Sequence, residues 1–262
     1  MKVVLFCGGY GTRLREHSGI TPKPLVDIGY RPIIWHLMKY YAHFGHKDFI
    51  LCLGYRGDLV KDYFMNYREW LSNDFTLRDG GQNLVLHNTD ISDWNITFVD
   101  TGLNSNIGQR LRAVRSYVAT EEMFLANYSD GLSDLPLEKQ ISQFRASDAA
   151  ASFIGVQPSQ TLSGVEIGED GVVTKVEYLH SSDIWINGGF FVLRNDLFDY
   201  MKGDEELVEE PFQRMIRTRK LIAHKYSGFW AAMDTFKDKK RFDTMYASGE
   251  TPWMVWKQSP DD

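Results

Sequence analysis

Strand-like and helix-like stretches alternate through the first half of the chain, and a glycine-rich turn follows the first of them at once. Val3 to Cys7 is a short continuous apolar run, the pattern of a strand buried on both faces. It stops at Gly8-Gly9-Tyr10-Gly11-Thr12-Arg13-Leu14. Pro32 to Phe44 then reads as a helix with Ile33, Ile34, Leu37, Met38, Tyr41 and Phe44 on one side. Phe49–Leu53, Ile96–Val99 and Met123–Ala126 are further apolar strands, separated by helical patterns over Leu59–Leu71 and Ile107–Val118. This alternation predicts an α/β fold: a doubly wound, mostly parallel mixed sheet with helices on both faces. After Ala149 the texture changes to short strands (Ala149–Val156, Gly164–Ile167, Val172–Tyr178, Phe190–Leu193), with a tight turn at Gly168–Gly171. Two more helices are expected near Glu209–Thr218 and Asp238–Ala247. No linker rich in proline or glycine divides the halves, so one domain with a small β-rich region in its second half is expected.

Composition narrows the function. The 262 residues carry 29 basic and 35 acidic side chains, a formal charge of −6. That balance argues against a nucleic-acid partner, while a small phosphate-bearing ligand needs only a few placed cations. Cys7 and Cys52 are the only cysteines, each inside an apolar run. They suit a reducing compartment and read as small core residues. The first apolar run is too short for a secretory or membrane segment and is followed by Arg13 and Arg15. A cytoplasmic protein with no membrane partner is the expectation.

The glycine turn is where chemistry is expected. In open α/β sheets ligands bind beyond the carboxyl ends of strands, and glycines there let backbone N–H groups approach a phosphate chain. Arg13 adds a forked donor. The spacing fits neither the dinucleotide fingerprint nor the P-loop, since no Lys-Ser or Lys-Thr follows. In Thr21-Pro22-Lys23-Pro24-Leu25 two prolines stiffen the backbone around one lysine. A lysine held so rigidly near a phosphate loop is more than a solvated charge. Taken alone, Asp130 in Ser-Asp-Gly reads as a turn residue and Asp234 as a helix N-cap.

G-G-x-G-T-R-L followed by P-K-P-L resembles the sugar-phosphate nucleotidyltransferases, in particular their glucose-1-phosphate cytidylyltransferase branch. Further matching stretches are Pro32-Ile33-Ile34-Trp35-His36, Val99-Asp100-Thr101-Gly102, Asn187-Gly188-Gly189-Phe190-Phe191, and Gly228-Phe229-Trp230 through Met233-Asp234-Thr235. The resemblance spans nearly the whole chain. It implies a Rossmann-like nucleotidyltransferase fold in which residues 1–135 mainly bind nucleotide and residues 136–262 mainly bind the acceptor.

It also implies a reaction: an acceptor phosphate oxygen attacks the α-phosphate of CTP and pyrophosphate leaves. Positioning and charge neutralisation would do most of the catalytic work. Gly8, Gly9, Gly11, Thr12 and Arg13 would cradle the triphosphate, Arg13 and Lys23 would be catalytic, and Arg110 would lie close to the nucleotide. Asp130 and Asp234 would hold Mg²⁺, which takes one or two carboxylates together with phosphate oxygens and water. Glu177, Tyr178, Asn187 and Gly188 would bind the acceptor. Members of this branch commonly form homo-oligomers.

The chain departs from the family pattern on the acceptor side. Glu-Lys-Pro, expected before Asn-Gly-Gly, is replaced by Glu177-Tyr178-Leu179, with His180 following. Tyrosine brings one hydrogen bond but no charge, and a charge-assisted contact to phosphate is about twice as strong as a neutral one. Thr21 replaces a lysine of close relatives, and Ser129 stands where glycine often precedes the metal aspartate. Two acceptor classes are therefore compatible with the sequence: a sugar 1-phosphate such as glucose 1-phosphate, or a non-sugar phosphate such as phosphorylated glutamine in capsule phosphoramidate synthesis. A catalytically silent nucleotide-binding relative is a third reading, against which the presence of Arg13, Lys23, Asp130 and Asp234 counts. His36, His43 and His46 fall in or just after one helix, but His43 and His46 lack the i, i+4 spacing of a helical metal pair, so solvated or capping roles are expected. Glu205, Glu206, Glu209 and Glu210 are expected to form a solvated helix start.

Overall fold

The strand Lys2–Phe6 lies at the centre of an eight-stranded sheet, and nearly everything else is arranged about it. The structure, a computed structural model, describes residues 1–11, 21–158, 163–178 and 183–257. Numbered along the chain, the strands of the central sheet are β1 (Lys2–Phe6), β2 (Asp48–Leu53), β3 (Asn95–Asp100), β4 (Met123–Tyr128), β5 (Ala151–Val156), β6 (Ile186–Asn187), β7 (Phe191–Arg194) and β8 (Leu221–Tyr226). Their order is β6-β5-β7-β4-β1-β2-β3, with β8 also pairing β5. β3, β2, β1 and β4 run parallel, β7 is antiparallel to both β4 and β5, and β8 is parallel to β5. This is the expected mostly parallel mixed sheet.

Alternation along the central strands explains why both faces are covered. Val3, Leu5 and Cys7 join one apolar cluster, and Val4 and Phe6 join the other. One face is covered by helices Ile33–His43, Gly57–Met65, Leu137–Arg145 and Phe236–Ser248. The other is covered by Ile107–Ala113, Arg115–Val118 and Glu210–Arg217. Leu137, Ile141 and Phe144 show how: at spacings of four and three they form one buried stripe. Both cysteines are buried free thiols, as expected.

Several boundaries differ from the sequence reading for local reasons. The helix expected over Leu59–Leu71 ends at Met65, and the chain turns at Asn66 and enters a hairpin of Phe75–Arg78 with Asn83–Leu86. The expected Gly168–Gly171 turn joins Ser163–Ile167 to Val173–Tyr178 as a separate two-stranded ribbon. Two strand segments, β6 and β7, share one edge of β5. The chain between them, Gly188–Phe190, bulges, with Gly189 and Phe190 both at positive φ.

His36 is not the solvated residue the sequence suggested. It is buried, its Nε2–H donates to the Ile28 carbonyl at 3.0 Å, and its Nδ1 accepts from the Trp253 indole at 3.4 Å. Burial, opposed only in part by backbone hydrogen bonds to Ile28 and Arg31, pushes its pKa from 6.5 down to about 4. The unfolded chain therefore binds the proton first. The stability His36 confers is complete above its ordinary pKa and is lost as pH falls from 6.5 towards 4. Lowering pH from 7 to 5 should cost about 2 kcal/mol through this residue alone. His36→Gln, which keeps a donor for Ile28, should flatten that slope in urea denaturation; an unchanged slope would place the titration elsewhere.

Candidate active site

The chain crosses from one side of β1 to the other between β3 and β4, and a crevice opens where that reversal occurs. The cleft, about 360 Å³, is lined by Gly8, Gly9 and Gly11 after β1, by Lys23, by Tyr128, Ser129 and Asp130 after β4, and by Asp234. Arg110, Ser105, Asn106 and Glu206 complete its far wall.

The glycine loop is shaped by an arginine beneath it. Arg110 is 3% exposed, and its guanidinium donates to the carbonyls of Leu53 (3.0 Å) and Gly8 (3.1 Å) and to the Thr101 hydroxyl (2.7 Å). It thus ties together the ends of β1 and β2 and the turn after β3. A Cβ on Gly8 would lie 2.0 Å from this guanidinium, so the glycine is required by close approach. Gly11 has φ of +56°, a conformation open to glycine at no steric cost, and packs on the Lys23 side chain. Arg110 is held in place by Ile107–Ala113, whose first turn is fixed by a reciprocal cap. Asn106 Oδ1 accepts from Gln109 N, and Gln109 Oε1 accepts from Asn106 N.

Asp130 and Asp234, far apart in sequence, are joined by a short antiparallel ribbon. Gly131–Ser133 pairs with Trp230–Ala232 in the register Gly131 to Ala232, and Met233 N donates to the Asp130 carbonyl at 2.9 Å. Asp130 therefore sits one residue before one strand of the ribbon, and Asp234 two residues after the other. Ser129 secures the Asp130 turn to the central strand by donating to the Phe6 carbonyl at 2.9 Å. Asp234 is not the N-cap. Thr235 caps Phe236–Ser248 in a box with Asp238, whose carboxylate also accepts from Asp234 N at 3.2 Å. The capping turn thereby fixes the Asp234 backbone.

Lys23 meets both aspartates. It sits in a single helical turn, Lys23–Leu25, closed by a Leu25 N to Pro22 O bond of 2.8 Å. Its ammonium donates to Asp130 Oδ2 and, at 2.6 Å, to Asp234 Oδ1. Burial works to lower its pKa, but the charges and hydrogen bonds of Asp130 and Asp234 outweigh burial and hold it above the ordinary lysine value. Among the described residues no cluster of three or more His, Cys, Asp and Glu side chains forms a metal cage, so two carboxylates are what the protein offers here.

The remaining predicted residues divide. Thr12 and Arg13 lie outside the described residues, as do Leu179 and His180. Asn187 and Gly188 sit just behind the cleft: Asn187 Nδ2 lies 3.4 Å from the hydroxyl of Tyr128, and the Gly188 carbonyl accepts from the Trp230 indole at 2.8 Å. Glu177 and Tyr178 do not line the cleft. They are on the ribbon strand Val173–Tyr178, where Glu177 accepts from Lys175 at 2.9 Å and Tyr178 is more than half exposed. The sequence reading missed Tyr128, whose hydroxyl is pushed up to about 12 chiefly by burial. It also missed Glu206, which was expected to be solvated. Glu206 instead lines the cleft and accepts from Ile107 N at 3.2 Å, at the start of the helix that carries Arg110. Its neighbour Glu205 is paired with Arg214.

A crevice at this place in an open α/β sheet, lined by a glycine-rich turn, a lysine and two carboxylates, is where proteins of this architecture bind their ligands. Residues 2–231 match the family described as Nucleotidyl transferase. The chain is 38% identical over 257 residues to the glucose-1-phosphate cytidylyltransferase of Salmonella typhimurium, covering 98% of this chain and 100% of that relative. It is 25% identical over 258 residues to the mannose-1-phosphate guanyltransferase of Yarrowia lipolytica, covering 95% of this chain and 64% of that one. Among solved structures, HddC from Yersinia pseudotuberculosis has the same fold, with a TM-score of 0.65 at 19% identity over 94% of this chain and 99% of that one. The chain belongs to the nucleotidyl transferase family and is a nucleotidyltransferase. No helix among the described residues is long and apolar enough to cross a membrane.

Arg110 is a buried cation whose partners are all backbone carbonyls and one hydroxyl, so lysine cannot replace its fork. Arg110→Lys should cost about 2–3 kcal/mol in urea denaturation, and Gly8→Ala a comparable amount by displacing the guanidinium. Wild-type stability in both variants would mean the loop is held by other contacts.

Proposed function

We propose that the protein is a Mg²⁺-dependent cytidylyltransferase that transfers CMP from CTP to a sugar 1-phosphate, glucose 1-phosphate being the leading candidate, with release of pyrophosphate. One observation carries the reading. The ribbon between Gly131–Ser133 and Trp230–Ala232 converges Asp130 and Asp234 on a single cation beside the glycine loop, in a chain 38% identical to a glucose-1-phosphate cytidylyltransferase along its whole length.

The two carboxylates suit Mg²⁺, which characteristically takes one or two protein carboxylates and fills its remaining positions with phosphate oxygens and water. Asp130 and Asp234 would hold it; when bound, the ion would neutralise charge on the nucleotide phosphates. The protein's own contribution is positional. The amides of Gly8, Gly9 and Gly11, with Thr12 and Arg13, receive the triphosphate, and Lys23 neutralises the phosphoryl group in transfer. Arg110 serves the nucleotide indirectly by holding the Gly8 carbonyl and so the shape of the loop. No side-chain nucleophile is required, because the acceptor phosphate is already an anion. Residues 1–135 carry most of the nucleotide site; residues 136–262 supply the second aspartate and the acceptor side. A homo-oligomer working in the cytoplasm on these small substrates completes the reading.

The replacement of lysine by Tyr178 favours one alternative for the acceptor, a non-sugar phosphate such as a phosphorylated amino acid. Pyrophosphate release with Mg²⁺, crossing four nucleoside triphosphates with sugar 1-phosphates, phosphorylated amino acids and polyol phosphates, separates the two. Turnover with CTP and glucose 1-phosphate is expected; turnover with CTP on a non-sugar phosphate alone would reassign the acceptor, and binding of CTP without turnover on any acceptor would indicate a silent relative.

Asp130→Asn and Asp234→Asn should each fold normally and lose at least ~100-fold in Mg²⁺-dependent turnover. Wild-type rates in either would remove that residue from the metal site. Tyr178→Lys should lower KM for a sugar 1-phosphate about fivefold, through a charge-assisted phosphate contact, and leave KM for CTP unchanged. No change in either would show that this ribbon does not reach the acceptor.

A further inference from the structure

The Lys23 ammonium stands where the two carboxylates converge. It donates to Asp130 and Asp234 at once, and the Pro22-Lys23-Pro24 turn delivers its stem to that point. The lysine and Asp130 side chains are 15% and 23% exposed, so that contact is partly shielded from solvent, while the Asp234 side chain, 49% exposed, keeps the outer side of the pair open to solvent. A divalent cation bound to both carboxylates would need the same space. Two cations a few ångströms apart repel strongly in such a site, so the ammonium and the metal exclude one another.

Resting on the reading of Asp130 and Asp234 as metal ligands, we propose that Lys23 is a built-in counter-ion that keeps a divalent cation off the two aspartates until a triphosphate is present. The ammonium then exchanges its carboxylate partners for phosphate oxygens, and the freed carboxylates accept the metal. Lys23 stays charged throughout; only its partner changes. Arg110 cannot take over this exchange, because its guanidinium is committed to Leu53, Gly8 and Thr101. Metal and nucleotide affinities are thereby coupled, each raising the other by the same factor.

Mn²⁺ is a suitable probe, its free concentration read by electron paramagnetic resonance on the full-length protein without nucleotide. Wild type should bind it weakly, and Lys23→Met should bind it about tenfold or more tightly, the scale set by removing one charge-assisted competitor. The double variant Lys23→Met/Asp130→Asn should lose that gain. Thermal unfolding gives a second readout: Mg²⁺ alone should raise the Tm of Lys23→Met, or of Lys23→Gln should the methionine variant fold poorly, more than that of wild type. Micromolar Mn²⁺ binding by wild type without nucleotide, or no gain in the Lys23 variants, overturns the proposal. If Asp130→Asn still loses turnover while the Lys23 variants show no gain, the metal reading stands and only the counter-ion role fails. If Asp130→Asn keeps turnover, both fall together.

Discussion

The short antiparallel pairing of Gly131–Ser133 with Trp230–Ala232 is the contact on which the site depends. A parallel sheet alone places one carboxylate, Asp130, at the end of its fourth strand. It has no means of presenting a second from the last third of the chain. The ribbon closes that gap, and the Met233 N to Asp130 O bond extends it to within one residue of Asp234. The energetic support lies behind it. Leu132, Ala231 and Met233 are buried in the same cluster as Tyr40 and Trp253, so the apolar face beneath the ribbon sets where its polar ends emerge. Because the ribbon fixes the two aspartates through their backbone, their carboxylates are free of it and both engage the Lys23 ammonium.

Arg110 meets a different constraint. Burying a guanidinium is costly unless every donor finds a partner. Here the partners are the Leu53 carbonyl at the end of β2, the Gly8 carbonyl just after β1 and the Thr101 hydroxyl just after β3. The same arginine thus adds a charged donor to two carbonyls that already accept from Thr101 and Tyr55, and ties the Gly8-Gly9 loop to the end of β2. Gly54 belongs to this arrangement as much as Gly8, since a Cβ there would lie 2.8 Å from both the Arg110 guanidinium and the Gly8 carbonyl. Sequence inspection alone sees a glycine-rich turn; the structure shows that Gly8 of that turn, together with Gly54 after β2, makes room for a cation beneath it.

Much of the fold was legible because it rests on periodicity. Val3 to Cys7, Phe49 to Leu53 and Met123 to Ala126 are continuous apolar runs of four or five residues, too short for a helix and suited to strands covered on both faces. The helix around Ile33 declared itself by spacing. What stayed hidden is non-local. His36 has the polarity of a surface residue, and only Ile28 and Trp253, 8 and 217 residues away, explain its burial. Glu206 looked like one member of a solvated acidic cluster until its partner, the Ile107 amide 99 residues away, came into view. The strands Phe75–Arg78 and Asn83–Leu86 lie in a mixed polar stretch with no clean alternation, and the helical pattern before them ran on past its true end. At the site the resemblance supplied Asp130 and Asp234, but no spacing rule could reveal the ribbon that unites them.

The electrostatics of the cleft follow from these placements rather than from overall charge. A chain of net charge −6 offers no general attraction to a triphosphate, so the attraction has to be local. Glu206, Asp130 and Asp234 line the same cleft as Gly8, Gly9 and Lys23, a mixture that would repel a polyanion if the carboxylates were bare. They are not bare. Glu206 is engaged by backbone amides at Ile107 and Leu207, and the aspartates share the Lys23 ammonium. Each acidic group at the site is thus hydrogen-bonded to a donor of the protein itself, and one ammonium shared by two aspartates leaves negative charge for a further cation to offset. On the proposed exchange, a phosphate chain would draw Lys23 towards its own oxygens, and the two carboxylates it leaves would then be open to a second cation.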